Sequence, residues 1–541
     1  MAKLCVCLTG KTLEENIAIL DKNRKHADLA ELRVDCLDAD ERLLIRRFPE
    51  MAGLPVILAI RRAIDGGCFQ SGEGSRITLL AKGLAYANAD RRYNFAYVEL
   101  ENDLNVPSFE EAARAFGTKI IRSSYNDGNV VDDLETKLRS LKRIGDEIAK
   151  IRLLPRSLDD VRTIYCAAQK TQGIEKIFYC QGQYGIIPTI LANQFGSMLS
   201  YAFPEDGTHP SYDCENDPEY GEEINLCDLA DLYHFKKISG QTKIFAVTGF
   251  PFTAPLIPRF FNSVFDIDKI NAVCISIPAD STDSLMHLSK EMGISGIALT
   301  SPHKERILSH LHNKTPALTS IGSCTTIVRS PEGWLGCNTE TESFSGSLLK
   351  FIDKKDLRGI KLTIIGAGSS ARAIASEVHR LDGKALILNR TVERARLLAK
   401  QYGFAWAPLK SQSGPVIAKY SKVLIQTTPV GMHFDADPLR FYTFSGKEAV
   451  MEFIWKPEKT SFLKRAEAAG CRTLNGYDMM VRQLCGNYSH FMDKEFPLPL
   501  AALAGFLSRE SVEYDNGGNG SSRWTAKFSP YRIQLKRGSR K

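Results

Sequence analysis

LTIIGAGSSARAIASEV, residues 362–378, decides the architecture of the second half of the chain. The run 362–365 has the pattern of a buried strand, and a glycine-rich turn and an amphipathic helical stretch follow it without a break. Each small residue answers a physical demand. Gly366 permits a tight turn, Gly368 lets backbone approach a pyrophosphate, and Ala371 allows helix and strand to pack closely. Free N–H groups at the helix start, from Ser369 onward, then face an anion. Further on, a second strand pattern at 385–388 ends in Asn389, Arg390 and Thr391. An NAD-selective site places an acidic residue near that point for the ribose hydroxyls, whereas a guanidinium suits a 2′-phosphate. The alternative for Arg390 is a solvated arginine at a helix start. The reading is a Rossmann domain over 357–476 that takes NADP.

Upstream, residues 1–238 alternate short apolar runs with amphipathic stretches. Strand patterns fall at 4–8, 29–34, 56–60, 95–100, 119–124, 148–153, 176–180 and 198–201. Helical patterns between them include 13–23, 109–116, 131–144 and 158–171, with apolar positions three and four apart. Eight strands interleaved with helices is the count of a closed (β/α)8 barrel, with an open α/β sheet as the alternative. A polar stretch rich in Pro, Gly and Asp at 203–223 reads as a loop before a helix at 226–235. After the linker 236–241, a strand at 243–248 opens a second α/β unit over 243–350, and helices at 477–508 follow the Rossmann unit. The tail 509–541 is Gly/Ser-rich, then basic, and reads as disordered.

Composition narrows the class. The 541 residues are 43% hydrophobic and 25% charged, as in soluble globular proteins, and exceed a single ordinary domain. No apolar run approaches the ~18 residues of a membrane span, and residues 1–10 read as a first strand, not a signal peptide. The net charge of +7 sits largely in Arg532, Lys536, Arg537, Arg540 and Lys541, which argues against a nucleic-acid partner. Thirteen cysteines without CxxC spacing suggest reduced thiols in a cytoplasmic setting and no metal site.

With these elements in place, the stretch from 244 to 506 resembles the shikimate dehydrogenase family. The resemblance rests on LTSPHKE (299–305), IGSCTTIV (321–328), GCNTE (336–340), IIGAGSSARA, LNRT, QTTPVGM (426–432), FIWKP (453–457) and GYDMMVRQ (476–483). The first half resembles type I 3-dehydroquinate dehydratase through ELRVD (31–35), RRAIDGG (61–67), SSYND (123–127), IAKIRLLP (148–155) and GQYG with FGS (182–197). Together they resemble the fused enzymes of aromatic amino acid biosynthesis, whose substrates are the ring hydroxy acids dehydroquinate, dehydroshikimate and shikimate. The resemblance implies a Schiff-base lysine at Lys150, with Glu31, Arg33 and Arg61 holding substrate. It implies a Lys304–Glu340 pair that orients the reacting hydroxyl and moves its proton, with Thr253, Thr325, Asn338 and Gln483 around the ring. Gly366, Gly368, Ser369, Ala371, Asn389, Arg390, Thr391, Thr428 and Gly476 would line the cofactor.

Several positions depart from the family pattern. The proton-shuttling histidine falls at Asn126, which cannot titrate, so a general acid–base contribution of ~10²–10⁴ in rate is lost there. The carboxylate-clamping arginine falls at Thr189, and the lid becomes an acidic segment containing His209. In the second half Glu340 stands for an aspartate, Thr253 is the hydroxyl left in a rewritten Ser-x-Ser turn, Ala298 and Thr325 replace asparagines, and Trp455 replaces a tyrosine. Two further readings follow from these changes: a dehydrogenase for quinate or another hydroxy acid, and a silent NADP-binding relative acting as sensor or scaffold.

Overall fold

Eight strands whose side chains alternate between an inward face and a helix-facing one build the first half. The computed structural model describes residues 1–85, 88–125, 133–204, 224–248 and 256–497. Asn126, His209, Thr253 and the tail lie outside the described residues. Strands β1 (Lys3–Leu8), β2 (Leu29–Arg33), β3 (Val56–Ala59), β4 (Tyr97–Glu101), β5 (Lys119–Tyr125), β6 (Ile148–Leu153), β7 (Lys176–Cys180) and β8 (Leu199–Ala202) form one parallel sheet in the order β7-β6-β5-β4-β3-β2-β1-β8. The amide of Met198 donates to the carbonyl of Lys176 at 2.7 Å, bringing β8 back to β7 and closing the ring. All eight strands fall within two residues of the sequence pattern.

Two helices are shorter than their patterns. The one expected at 131–144 spans Leu134–Leu141, capped by Asp133, and ends where Lys142 turns extended. The one expected at 226–235 is a π turn, Asp228–Leu232, and His234 then breaks it at a φ of 50°.

A period of two decides what the ring encloses. Cys5, Leu29, Ile57, Ile121, Ile148, Ile177 and Leu199 form an apolar plug. Two residues further along the strands stand Glu31, Glu99, Lys150, Tyr179 and Tyr201. The opposite parity, including Leu32, Leu58, Val98, Ala149 and Ile151, packs against the surrounding helices.

The second sheet contains β9 (Lys243–Thr248), β10 (Ala272–Ile277), β11 (Gly296–Leu299), β12 (Asn313–Lys314), β13 (Thr326–Ser330) and β14 (Gly333–Cys337), ordered β10-β9-β11-β13-β14-β12. One apolar cluster runs without interruption from the barrel helices through Ile238 into Ile244 and Ala246 of this lobe. Helix Leu158–Lys170 of the barrel packs on helix Thr282–Glu291, and the Ser284 hydroxyl donates to Asp159 at 2.6 Å.

The third sheet contains β15 (Lys361–Ile365), β16 (Lys384–Asn389), β17 (Ala405–Pro408), β18 (Val423–Gln426), β19 (Ala449–Glu452) and β20 (Arg472–Leu474), all parallel. Its order, β17-β16-β15-β18-β19-β20, is that of a doubly wound dinucleotide fold, with the topological switch between β15 and β18. Alternate residues feed its two faces: Leu362, Ile364 and Ile387 into one core, Ile365, Leu388 and Leu424 into the other. Helix Tyr477–Met492 then returns to the second lobe, where Val481, Leu484 and Tyr488 bury against Phe245, Phe260 and Phe261. Among the described residues no helix is long and apolar enough to cross a membrane.

One buried carboxyl gives this third unit a pH dependence. Burial raises Glu452 to about 7, although Thr460 Oγ1 donates to both its oxygens at 3.0 and 2.9 Å. The folded chain therefore binds this proton more tightly than the unfolded chain, whose glutamates titrate near about 4.3. The contribution is full below the unfolded value and is lost as pH rises through about 7. Glu452→Gln is expected to flatten that decline and to melt above the parent at pH ~8, read by thermal unfolding across pH.

Candidate functional site

Strand β6 carries Lys150 inward because Ala149 and Ile151, its neighbours, are claimed by the helix layer. Its ammonium is 1% exposed and donates to Glu99 Oε2 at 2.8 Å, the Tyr201 hydroxyl at 2.8 Å and Glu31 Oε2 at 3.3 Å. Arg61 lies 3.6 Å from Glu31 Oε1 and stacks over Tyr125, its guanidinium carbon 4.7 Å from the ring centroid. Tyr125 donates its hydroxyl to Glu99. Burial alone would raise Glu99, but Lys150 and Arg61 outweigh it and hold the carboxyl at about 2. Burial beside these carboxylates pushes both phenols well up, so Tyr125 and Tyr201 are proton donors at neutral pH.

Arg33 forks onto Asp35 at 3.0 and 2.7 Å, and Asp35 also accepts the backbone N–H groups of Arg61 and Cys68. The pair draws Arg33 toward the loop after β3. Thr189 turns its hydroxyl to the Gly185 carbonyl of its own helix at 2.8 Å. Glu31, Arg61 and Lys150 thus converge, and Arg33 stands beside them through Asp35. Glu99, Tyr125 and Tyr201 escaped the sequence reading, although each lies at an inward period-two position of a strand already recognised.

A second cluster joins the other two units. Helix His303–Arg306 begins just beyond β11, and its Lys304 donates to Glu340 Oε1 at 2.6 Å. Lys304 is 8% and Glu340 4% exposed. The extra methylene of the glutamate therefore does not separate the pair. His303, which neighbours Lys304, is structural: it is fully buried between the Thr282 hydroxyl and the Ala279 carbonyl.

Glu340 also reaches across to the third unit. Ser370, the second residue of helix Ser369–Arg380, donates to the same Oε1 at 3.0 Å. The other oxygen, Oε2, is buried and has no partner among the described residues. Arg372 of the same helix pairs with Glu305 at 2.5 Å. Ser370 is the residue that sequence reasoning misses here; it lies inside the quoted glycine-rich motif, where only its backbone has an evident role.

The remaining expected ring contacts separate into two kinds. Asn338 caps helix Glu340–Ile352, accepting from the amides of Glu340 and Thr341 and donating to Ser323 O at 2.6 Å. Thr325 is 1% exposed and bonded to Thr339. The Thr325 hydroxyl is thus committed within the protein, and Asn338 commits its carbonyl oxygen and one N–H. Gln483 is half-buried, four residues before Asn487, whose Oδ1 accepts from Thr326 and Thr339, so it presents to the same side of its helix.

The glycine turn fits a dinucleotide. Gly366 has φ +117°, and a Cβ there would lie 2.5 Å from Thr427 Oγ1. A Cβ on Gly368, the N-cap, would meet nothing within 4 Å, which leaves open space where a phosphate would approach. Ala371 is fully buried against the sheet. Asn389 ties its side chain to the Thr391 carbonyl at 2.9 Å, and Arg390 is exposed at the end of β16. Thr428 is held by Gln426 Oε1 in the loop after β18. Gly476 is required by packing, since a Cβ would sit 2.1 Å from the Phe453 carbonyl oxygen.

Comparison with known proteins agrees with this fold. Residues 4–213 match the family described as type I 3-dehydroquinase, residues 247–327 the shikimate dehydrogenase substrate binding domain, and residues 349–429 shikimate / quinate 5-dehydrogenase. The chain is 26% identical, over 89% of its length and 81% of the relative's, to the bifunctional 3-dehydroquinate dehydratase/shikimate dehydrogenase, chloroplastic, of Arabidopsis thaliana. It is 33% identical to the shikimate dehydrogenase (NADP(+)) of Thermococcus kodakarensis, over 45% of this chain and 88% of that protein. The corresponding protein of Syntrophobacter fumaroxidans is 29% identical over 51% of this chain and 98% of its own length. An eight-stranded type I 3-dehydroquinase barrel thus precedes a two-lobed unit with a Rossmann sheet, and the chain belongs to the shikimate dehydrogenase family.

Proposed function

We propose that the second half interconverts 3-dehydroshikimate and shikimate with NADP, and that the barrel takes 3-dehydroquinate as an imine on Lys150. The observation that carries the first part is the Lys304–Glu340 pair at 2.6 Å, bonded through Ser370 to the start of the glycine-turn helix. When bound, NADP supplies the hydride acceptor. The chain supplies the rest. Lys304 holds the proton of the reacting hydroxyl at Nζ, Glu340 Oε1 fixes that ammonium, and the unpartnered Oε2 is left to accept from a ring hydroxyl. Purified protein with shikimate and NADP should accumulate reduced nicotinamide, read by absorbance; none at saturating substrate would remove this reading.

Arg390 supports the choice of NADP over NAD, because an exposed guanidinium beyond β16 suits a 2′-phosphate. Arg390→Ala is expected to weaken NADP binding about 10- to 100-fold, the value of one charged hydrogen bond, and to leave NAD binding unchanged, as titration would report. Ser370→Ala should lower shikimate turnover about fivefold, since one ordinary hydrogen bond to Glu340 is lost. In a Glu340→Asp background the same change should be silent, because the shorter carboxylate no longer reaches Ser370. Steady-state kinetics of the four proteins checks this.

For the barrel, attack by Lys150 requires a neutral amine, so its proton must pass to a neighbour; Glu31 and Glu99 are the carboxylates in contact. A second reading has the barrel bind its substrate without efficient dehydration. It is favoured by Thr189, whose hydroxyl is spent on its own helix where the family has an arginine. The scattered thiols support a cytoplasmic setting.

A further inference from the structure

The loops after β2 and β3 bring two cysteines together at the rim of the barrel, and nothing proposed above uses them. Cys36 closes the turn Val34–Cys36, and Cys68 lies in the segment 61–69. Their sulfurs are 3.5 Å apart, and both residues are half-buried. The segment that presents Cys68 is stiff. The Phe69 amide donates to Arg61 O, the Ala63 amide donates to Phe69 O, and Gly67 lies so close to Arg61 that a Cβ would be 2.2 Å from its carbonyl oxygen. Asp35, next to Cys36 in sequence, accepts the Cys68 N–H at 2.9 Å and anchors the other side.

We propose that Cys36 and Cys68 are a reversible disulfide site beside the Lys150 pocket. A metal is the competing use of Asp35, Cys36 and Cys68, whose ligand atoms cluster within 4.8 Å. Asp35 argues against it, because both its oxygens already accept from the Arg33 fork and from backbone amides. Two thiols alone leave a tetrahedral ion short of ligands.

The chemistry balances with a small-molecule disulfide such as oxidised glutathione. The hydrogen bond to Cys68, followed by burial, pushes the Cys36 thiol far up, so the first attack falls to Cys68, which gives its proton to water. Its thiolate attacks one sulfur of the glutathione disulfide and expels a glutathione thiolate. Cys36 then loses its proton to water, attacks Cys68 Sγ and expels the second glutathione. Two protein thiols are oxidised, and one glutathione disulfide is reduced to two thiols. The new bond needs the sulfurs to close to about 2.05 Å, a short move for two turns already in contact. Through Asp35, that move acts on Arg33 and on the backbone of Arg61.

The test uses the full chain. After incubation with oxidised glutathione, alkylation and tryptic digestion, peptides 34–42 and 63–76 should appear joined, two hydrogens lighter than their sum, and separate with dithiothreitol. Cys36→Ser and Cys36→Ala should each abolish the joined peptide. Alkylated or separately glutathionylated Cys36 and Cys68, at saturating oxidant, would overturn the proposal. The effect on Lys150 rests on the imine reading, but the cross-link does not. Borohydride trapping that fails in both redox states would count against the imine, while the joined peptide alone would still decide the cross-link. If trapping works, it should change with oxidation while shikimate oxidation in the second half stays constant.

Discussion

Lys150→Met is expected to abolish the borohydride-stable adduct that dehydroquinate forms with the parent protein, and to destabilise the barrel severely. Both effects follow from one ammonium. In the imine proposed above it is the amine that condenses with the ketone, and it is also the cation between two carboxylates that are 1% and 4% exposed. Removing one partner of a buried ion pair costs about 3–5 kcal/mol, because the remaining charges lose their counter-ion while staying buried. For a barrel of this size that corresponds to a melting shift of roughly 10 °C. Arg61 remains 3.6 Å from Glu31, but the 2.8 Å contact that is lost is the one with Glu99. Lys150→Arg separates the two roles: it keeps a cation between Glu31 and Glu99 but cannot form an imine. It should recover much of the stability and none of the adduct. Intact mass and thermal unfolding on the three proteins test both effects, and an adduct that survives in Lys150→Met would assign the imine to another lysine.

Lys304→Gln is expected to lower shikimate oxidation by ~10²–10⁴ while NADP binds as before. The separation of effects comes from the fold. Lys304 stands on the short helix after β11 in the second lobe, whereas the glycine turn belongs to β15 in the third. The fall should appear mainly in kcat, since the proton-holding interaction matters most as the hydroxyl becomes a carbonyl. The variant leaves Glu340 with Ser370 as its remaining donor on Oε1, so a modest loss of thermal stability accompanies the loss of rate. A large rise in the NADP dissociation constant would instead mean that Lys304 orders the cofactor lobe.

The strands are legible in the sequence because a barrel and a doubly wound sheet impose simple periods. Inward and outward residues alternate in the first, and continuous apolar runs mark the second. The glycine turn is legible for the same reason: Gly366 occupies a backbone conformation that side chains avoid, and its neighbours repeat a fixed order of demands. What lies between elements is harder to read. Glu99 and Tyr201 sit on separate strands and meet Lys150 because the ring closes, which no local window records. Ser370 meets Glu340 because two lobes approach, and the extra methylene, a misfit when one lobe is considered alone, is matched by a hydroxyl in the other. Asn338 is expected from the resemblance to face substrate, yet it serves as a helix cap, a role open to any asparagine at that position.

The unbroken apolar cluster between barrel and second lobe has a consequence for how the chain is put together. A fusion of two catalysts by a loose tether could be cut in the tether and leave each part intact. Here a cut near residue 240 would leave the two parts joined through one apolar cluster and through helix Leu158–Lys170 against helix Thr282–Glu291. The first two units therefore share one core, and making either stand alone would require new polar residues where that core is divided.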